Sequence, residues 1–61
     1  MSRYTGDYND ALGHSCKFQI GEEFVSGKVM SYYYETKIYE VKYQDRYYKT
    51  TDIYDVSPDK I

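Results

Sequence analysis

The sequence predicts a small all-β domain folded as an antiparallel meander, and three observations carry that expectation. Seven of the ten tyrosines fall between Lys28 and Thr51, in a stretch whose aromatic and β-branched residues suit a pleated, half-buried surface. Two polar interruptions, Glu35-Thr36-Lys37 and Gln44-Asp45, cut that stretch into three strand-length runs and read as turns. Upstream, Cys16 to Ile20 alternates apolar and polar residues, which sets Cys16, Phe18 and Ile20 on one face of a further short strand.

At 61 residues the chain is one domain at most, and a chain of this length buries only about 60% of its unfolded surface. Such scaffolds often carry a staple. The single cysteine, Cys16, cannot form an internal disulfide. Tyrosine supplies the bulk that aliphatic residues would otherwise provide, since each ring can bury roughly 150–250 Å² if its hydroxyl stays wet or finds a partner. Ten acids against eight bases leave a net charge of −2. That balance lacks the basic footprint expected of a nucleic-acid binder, and it is far from the dense acidity of a duplex mimic. No apolar run approaches the ~20 residues that span a bilayer, so no membrane partner is expected. The first fifteen residues lack the apolar centre of a secretory signal, which makes a cytoplasmic location the expectation.

Residues 1–15 hold two glycines, two aspartates, an asparagine and one strong aliphatic, Leu12. They read as a flexible, irregular N-terminal arm, followed by the folded unit at 16–61. A helical turn at Asn9 to Leu12, capped by Asn or Asp and ended by Gly13, is the alternative. Four residues hold a helix only if they are packed. Gly21-Glu22-Glu23 breaks the first strand, and Gly27 marks a bulge or a close backbone approach in the next.

A two-residue loop at Gln44-Asp45 pairs Tyr43 with Arg46, Lys42 with Tyr47, Val41 with Tyr48, Glu40 with Lys49 and Tyr39 with Thr50. Glu40 then faces Lys49, an opposite-charge pair worth roughly 0.2–1 kcal/mol. Tyr39, Val41, Tyr43 and Tyr48 share one face, while Glu40, Lys42, Tyr47 and Lys49 share the other. The preceding hairpin has two registers. A two-residue loop at Glu35-Thr36 puts Met30, Tyr32 and Tyr34 on the face of Tyr39 and Val41, and a three-residue loop puts Val29, Ser31 and Tyr33 there. A one-residue slip flips the whole face. Val29 inward is preferred because a small core needs the β-branched residue. The chain closes with a turn at Asp52-Ile53-Tyr54-Asp55 that points Ile53 inward, a tiny strand at Val56, and Pro58, which ends pairing because it has no N–H. Asp59-Lys60-Ile61 is a tail.

From Lys17 to Pro58 the order is strand, loop, long strand, strand, strand, helical turn, tiny strand. That pattern resembles the SH3-like small β-barrel shared by SH3, Tudor, chromo-barrel and KOW-type domains. The residues that carry it are Ile20-Gly21, Gly27-Lys28-Val29, Tyr39-Glu40-Val41-Lys42-Tyr43 with its turn Gln44-Asp45, and Asp52-Ile53-Tyr54-Asp55-Val56. The resemblance covers about two thirds of the chain and is one of shape. It implies an antiparallel barrel of about five strands with a short 3₁₀ turn near Asp52–Asp55. Proline-peptide SH3 domains usually bring an ALYDY-like run and a tryptophan, both absent here, and KOW-type domains bring basic loops. Tudor-like domains build an aromatic cage, for which tyrosines are plentiful.

Catalytic and metal sets are not apparent. His14 and Cys16 are the only residues of their kinds, too few for zinc, which takes three or four ligands, and no oxyanion loop accompanies them. Asp7, Asn9 and Asp10 lack the glycine and closing glutamate of a calcium loop, so they read as a solvated turn, as do Asp52, Asp55 and Asp59. No phosphate loop is present. An enzyme, a cofactor and a metal are therefore not expected. The tyrosines remain. Neighbours on a strand alternate in direction, so Tyr32, Tyr33 and Tyr34 cannot all point inward. The plain structural account is that half the rings are core and the rest cover strand faces.

The functional expectation is a non-enzymatic binding module that docks a larger protein through a tyrosine-rich face formed by Tyr32, Tyr33, Tyr34, Tyr47, Arg46 and Lys49. A compact chain of this kind is similar to small accessory proteins of phages and bacteria, which commonly occlude a larger protein. The alternative is a nucleic-acid-binding module that stacks bases on Tyr32, Tyr34, Tyr47 and Tyr48, with Lys28, Lys42, Arg46 and Lys49 beside them. A second copy of the chain, paired along an exposed edge strand, is a further candidate partner.

Overall fold

The computed structural model describes residues 2–57; the expected strand end at Pro58 and the 59–61 tail lie outside the described residues. The elements are α1 (Tyr8–Ala11), β1 (Ser15–Ile20), β2 (Glu23–Tyr33), β3 (Ile38–Tyr43), β4 (Arg46–Thr50) and β5 (Tyr54–Ser57). The strands form one five-stranded antiparallel sheet in the order β4-β3-β2-β1-β5. The sheet is open. Its edges are β4 and β5, and no ladder joins them among the described residues. It is also curled: the rings of Phe18 on β1 and Tyr48 on β4 lie 5.8 Å apart, although three strand spacings of about 4.8 Å separate those strands. The element order expected of an SH3-like fold is present, without the closure of a barrel.

The eleven-residue β2 organises the sheet, because its first half pairs with β1 and its second half with β3. Lys28 takes part in both ladders, opposite Ser15 on one side and Lys42 on the other. Next to it, Gly27 allows the close approach that this junction needs. A Cβ there would lie 2.7 Å from the Lys42 carbonyl oxygen, 2.7 Å from Val41 Cγ1 and 2.9 Å from Phe18. The first hairpin settles its two candidate registers through a bulge between Val29 and Ser31. The extra residue lets Val29, opposite Val41, and Tyr32, opposite Tyr39, both face inward. The loop is four residues long, 34–37, with Lys37 in the left-handed region at φ 59° and its N–H donating to the Tyr33 carbonyl at 2.7 Å. In the second hairpin all five expected cross-strand pairs form. Gln44 and Asp45 both have positive φ, 51° and 64°, as a two-residue turn of the primed kind requires.

Phe18, Ile53, Val29, Val41 and Cys16 are the largest fully buried side chains, and Ala11 and Tyr39 complete the core. Burying a side chain of this size contributes about 1.5–3 kcal/mol. Residues 2–14, expected as an irregular arm, are placed against the sheet. Tyr4 donates its N–H to the Ile53 carbonyl at 2.8 Å, and Asp55 donates to the Ser2 carbonyl at 2.9 Å. Arg3 pairs with Asp52 at 3.0 Å. Asp7 caps α1, its Oδ1 accepting from the Asn9 N–H at 3.1 Å, and this brings Ala11 into the core. Gly13, at φ 82°, turns the chain out and donates to the Val29 carbonyl at 2.8 Å.

The 3₁₀ turn expected near Asp52–Asp55 does not form. Thr51 is a bend, Asp52 and Ile53 have no regular structure, and β5 begins at Tyr54. The backbone there bonds instead to residues 2 and 4, and Arg3 bridges Tyr54. Pairing with the lead-in takes the place of the turn.

Two outcomes follow from this geometry. Gly27→Ala is expected to lower stability by about 2–3 kcal/mol, the cost of forcing atoms into a packed site whose nearest neighbour is a backbone carbonyl; denaturant unfolding within 0.5 kcal/mol of wild type would contradict it. Replacing Gln44-Asp45 with Asn-Gly, which suits two left-handed residues, should raise the melting temperature by about 4–8 °C, equivalent to roughly 1 kcal/mol in a domain of this size. A lowered melting temperature would overturn the turn assignment.

Candidate tyrosine-rich surface

Of the described aromatic side chains, Tyr34 (74% exposed), Tyr47 (57%), Phe24 (42%) and Tyr33 (41%) are the open ones. Residues directly opposite in a ladder share a face, so the pairing places each expected site residue. Tyr33 lies opposite Ile38 on the convex face, away from the core, in the set that also holds Glu40, Lys42, Tyr47 and Lys49. Lys49 Nζ sits 5.2 Å from the centre of the Tyr33 ring, and Lys42 Nζ sits 5.9 Å from that of Tyr47. Contacts of this kind contribute about 0.5–1 kcal/mol at exposed sites. The Tyr33 hydroxyl also donates to Glu40 Oε1 at 3.4 Å.

An open cleft of about 700 Å³ lies at the first hairpin, lined by Tyr32, Tyr33, Tyr34, Glu35, Thr36, Ile38 and Lys49. Four of the six expected site residues therefore meet there. The other two do not. Tyr47 lies further along the convex face. Arg46 lies opposite Tyr43 and so belongs to the concave side, at its rim.

Tyr32 is no free platform. It stacks on Tyr8 at 4.6 Å and touches Tyr39 at 4.6 Å, while Tyr8 meets Tyr34 edge-on at 6.1 Å. Four rings thus run from solvent to core, Tyr34, Tyr8, Tyr32, Tyr39. Reading the sequence missed Tyr8, because it sits in the polar lead-in between Asp7 and Asn9. The residues expected to stack bases also separate: Tyr48 packs inward against Phe18 and Tyr43 at 5.8 and 6.3 Å, while its neighbour Tyr47 points outward.

Burial governs the ionisation of the inward groups. It pushes the Cys16 thiol from an ordinary 9.0 up to about 11. Tyr39 is raised by burial first and then by the Tyr32 and Tyr4 hydroxyls, and Tyr4 is raised by burial with help from Asp10 and Asp7. Cys16 faces the core, where a thiol behaves as a small apolar group. His14 precedes β1 and accepts the Val29 N–H on its carbonyl at 3.0 Å. Among the described residues no three His, Cys, Asp or Glu side chains gather as metal ligands. No helix among them is long and apolar enough to cross a membrane.

The neutral thiol is the form the fold favours, so its contribution is full below pH 9.0 and is lost as pH climbs towards about 11. The melting temperature of wild type should fall more steeply between these values than that of Cys16→Ala, and equal slopes would remove the burial account.

Compared with known proteins, the chain matches no family model, no curated protein and no solved structure.

Proposed function

We propose that this chain is a non-enzymatic binding module that docks a larger protein through the tyrosine-rich surface at its first hairpin. In this reading it works as a small accessory or inhibitory protein, by occluding its partner, and its curled sheet is a variant of the SH3-like small barrel. The observation that carries the reading is the position of Tyr33 and Tyr34. Both rings are open, both line one cleft with Ile38 and Lys49, and Tyr34 is backed by Tyr8. Tyrosine is enriched at protein interfaces because it offers large contact area together with a polar tip. The backing matters, because a ring already held by neighbours loses little side-chain freedom on binding.

The experiment is affinity capture from lysate with wild type and with Tyr34→Ala and Tyr33→Ala, with and without nuclease. A protein retained after nuclease treatment and in high salt should weaken at least tenfold with either variant, in keeping with an anchoring aromatic residue. The stability of each variant should stay within about 0.5 kcal/mol of wild type, as for other surface changes. Disappearance of all captured material on nuclease treatment would overturn the reading.

A further inference from the structure

The sheet sorts charge in a way the net value conceals. Lys17, Lys28, Lys42 and Lys49 all belong to the convex face, by pairing with Ser26, with Ser15 and each other, and with Glu40. Glu40 is the one acid in that convex set, although the chain carries ten acids and a net charge of −2. Across the middle of the face runs a row: Tyr47 beside Lys42, Lys42 directly opposite Lys28, Lys28 opposite Ser15. Lys17 lies one step diagonally from Lys28. Like charges directly opposite on neighbouring strands destabilise a sheet. None of these three lysines has an ion-pair partner among the described residues, where the one salt bridge is Arg3–Asp52. An unneutralised row of lysines is therefore maintained against its own repulsion. Open rings flank it, Tyr47 at the β4 end and, towards β1 and β5, Phe24, which lies edge-on to Tyr54 at 5.3 Å.

We propose that the row Lys42-Lys28-Lys17, bracketed by Tyr47 and Phe24, is a binding site for single-stranded nucleic acid. The juxtaposition meets both demands of such a ligand: cations on neighbouring strands, about 5 Å apart from Lys42 to Lys28 and about 7–8 Å from Lys28 to the diagonal Lys17, within side-chain reach of successive phosphates, and sequence-tolerant ring faces for bases. An acidic peptide would satisfy the lysines and leave the rings without that second role. This site differs from the cleft at Tyr33 and Tyr34, and it goes beyond protein docking.

The probe is a fluorescein-labelled dodecamer of thymidylate, titrated with purified protein and read by anisotropy. Three phosphate contacts on a single strand give a log–log salt slope of about −2, or about 20-fold weaker binding between 50 and 200 mM salt. Lys28→Gln with Lys42→Gln should weaken binding at least tenfold at 50 mM salt, and removing those two contacts should bring the slope to about −0.7. The same variant should melt within about 4 °C of wild type, since relief of the Lys28–Lys42 repulsion offsets loss of the Lys42–Tyr47 contact, so lost binding would not reflect lost folding. Tyr47→Ala should also weaken binding, while Lys37→Gln and Tyr34→Ala should leave it unchanged. Absence of binding by wild type at 50 mM salt would overturn the proposal. So would equal binding by the double variant, or equal displacement of the probe by polyglutamate of matched charge. Because Tyr34→Ala is silent here and decisive for protein docking, either reading can fail while the other stands.

Discussion

The structure depends on one strand serving two ladders. β2 can hold β1 on one side and β3 on the other only if the backbones approach closely where the ladders overlap, and that overlap is Gly27-Lys28. A side chain at Gly27 would meet the Lys42 carbonyl and Val41 at 2.7 Å. The sheet curls at this point, so Phe18 of β1 and Val41 of β3 face the same small interior. A single sheet without such curvature would have only solvent to cover its apolar face.

Curvature also explains how a chain without a disulfide encloses a core. The concave side receives Phe18, Val29, Val41 and Cys16, and the open end of the curl is filled by α1 and the lead-in, through Ala11, Tyr4, Tyr8 and Leu12. Residues 2–4 thereby cover one side of β5 and of Ile53 before it with backbone hydrogen bonds. One edge of the sheet is thus occupied by the chain itself, while β4 remains an edge among the described residues. Exposed edges commonly carry charge, which discourages pairing with other chains, and β4 carries Arg46 and Lys49.

The convex side has a different composition because no core constrains it. It holds lysines, serines, open rings and the acid Glu40, while most of the other acids lie in the turns and the lead-in. Two regions stand out on the surface, one at the end of the sheet and one on its convex side. At the first hairpin, Tyr33 and Tyr34 line a cleft and Tyr34 is backed by Tyr8. Across the centre, Lys42 and Lys28 face one another with no acid between them. The first offers apolar area and the second offers charge, so they suit different kinds of partner.

Local chemistry in the sequence determined the strands, both turn positions, the full register of the second hairpin and the inward placing of Phe18, Val29, Val41 and Ile53. Alternation and turn residues act over a few positions, and a period of two leaves little choice of face once the turn is set. The bulge that brings Val29 and Tyr32 inward together, the docking of residues 2–14, and the irregular path of Asp52 and Ile53 were decided only in three dimensions. Each depends on a partner remote in sequence: Val29 on His14, Ile53 on Tyr4, Tyr32 on Tyr8. The candidate site divides the same way. That some tyrosines must face outward was legible from Tyr32-Tyr33-Tyr34 alone, but which rings do, and that three lysines align across the sheet, followed from strand pairing that no local pattern encodes.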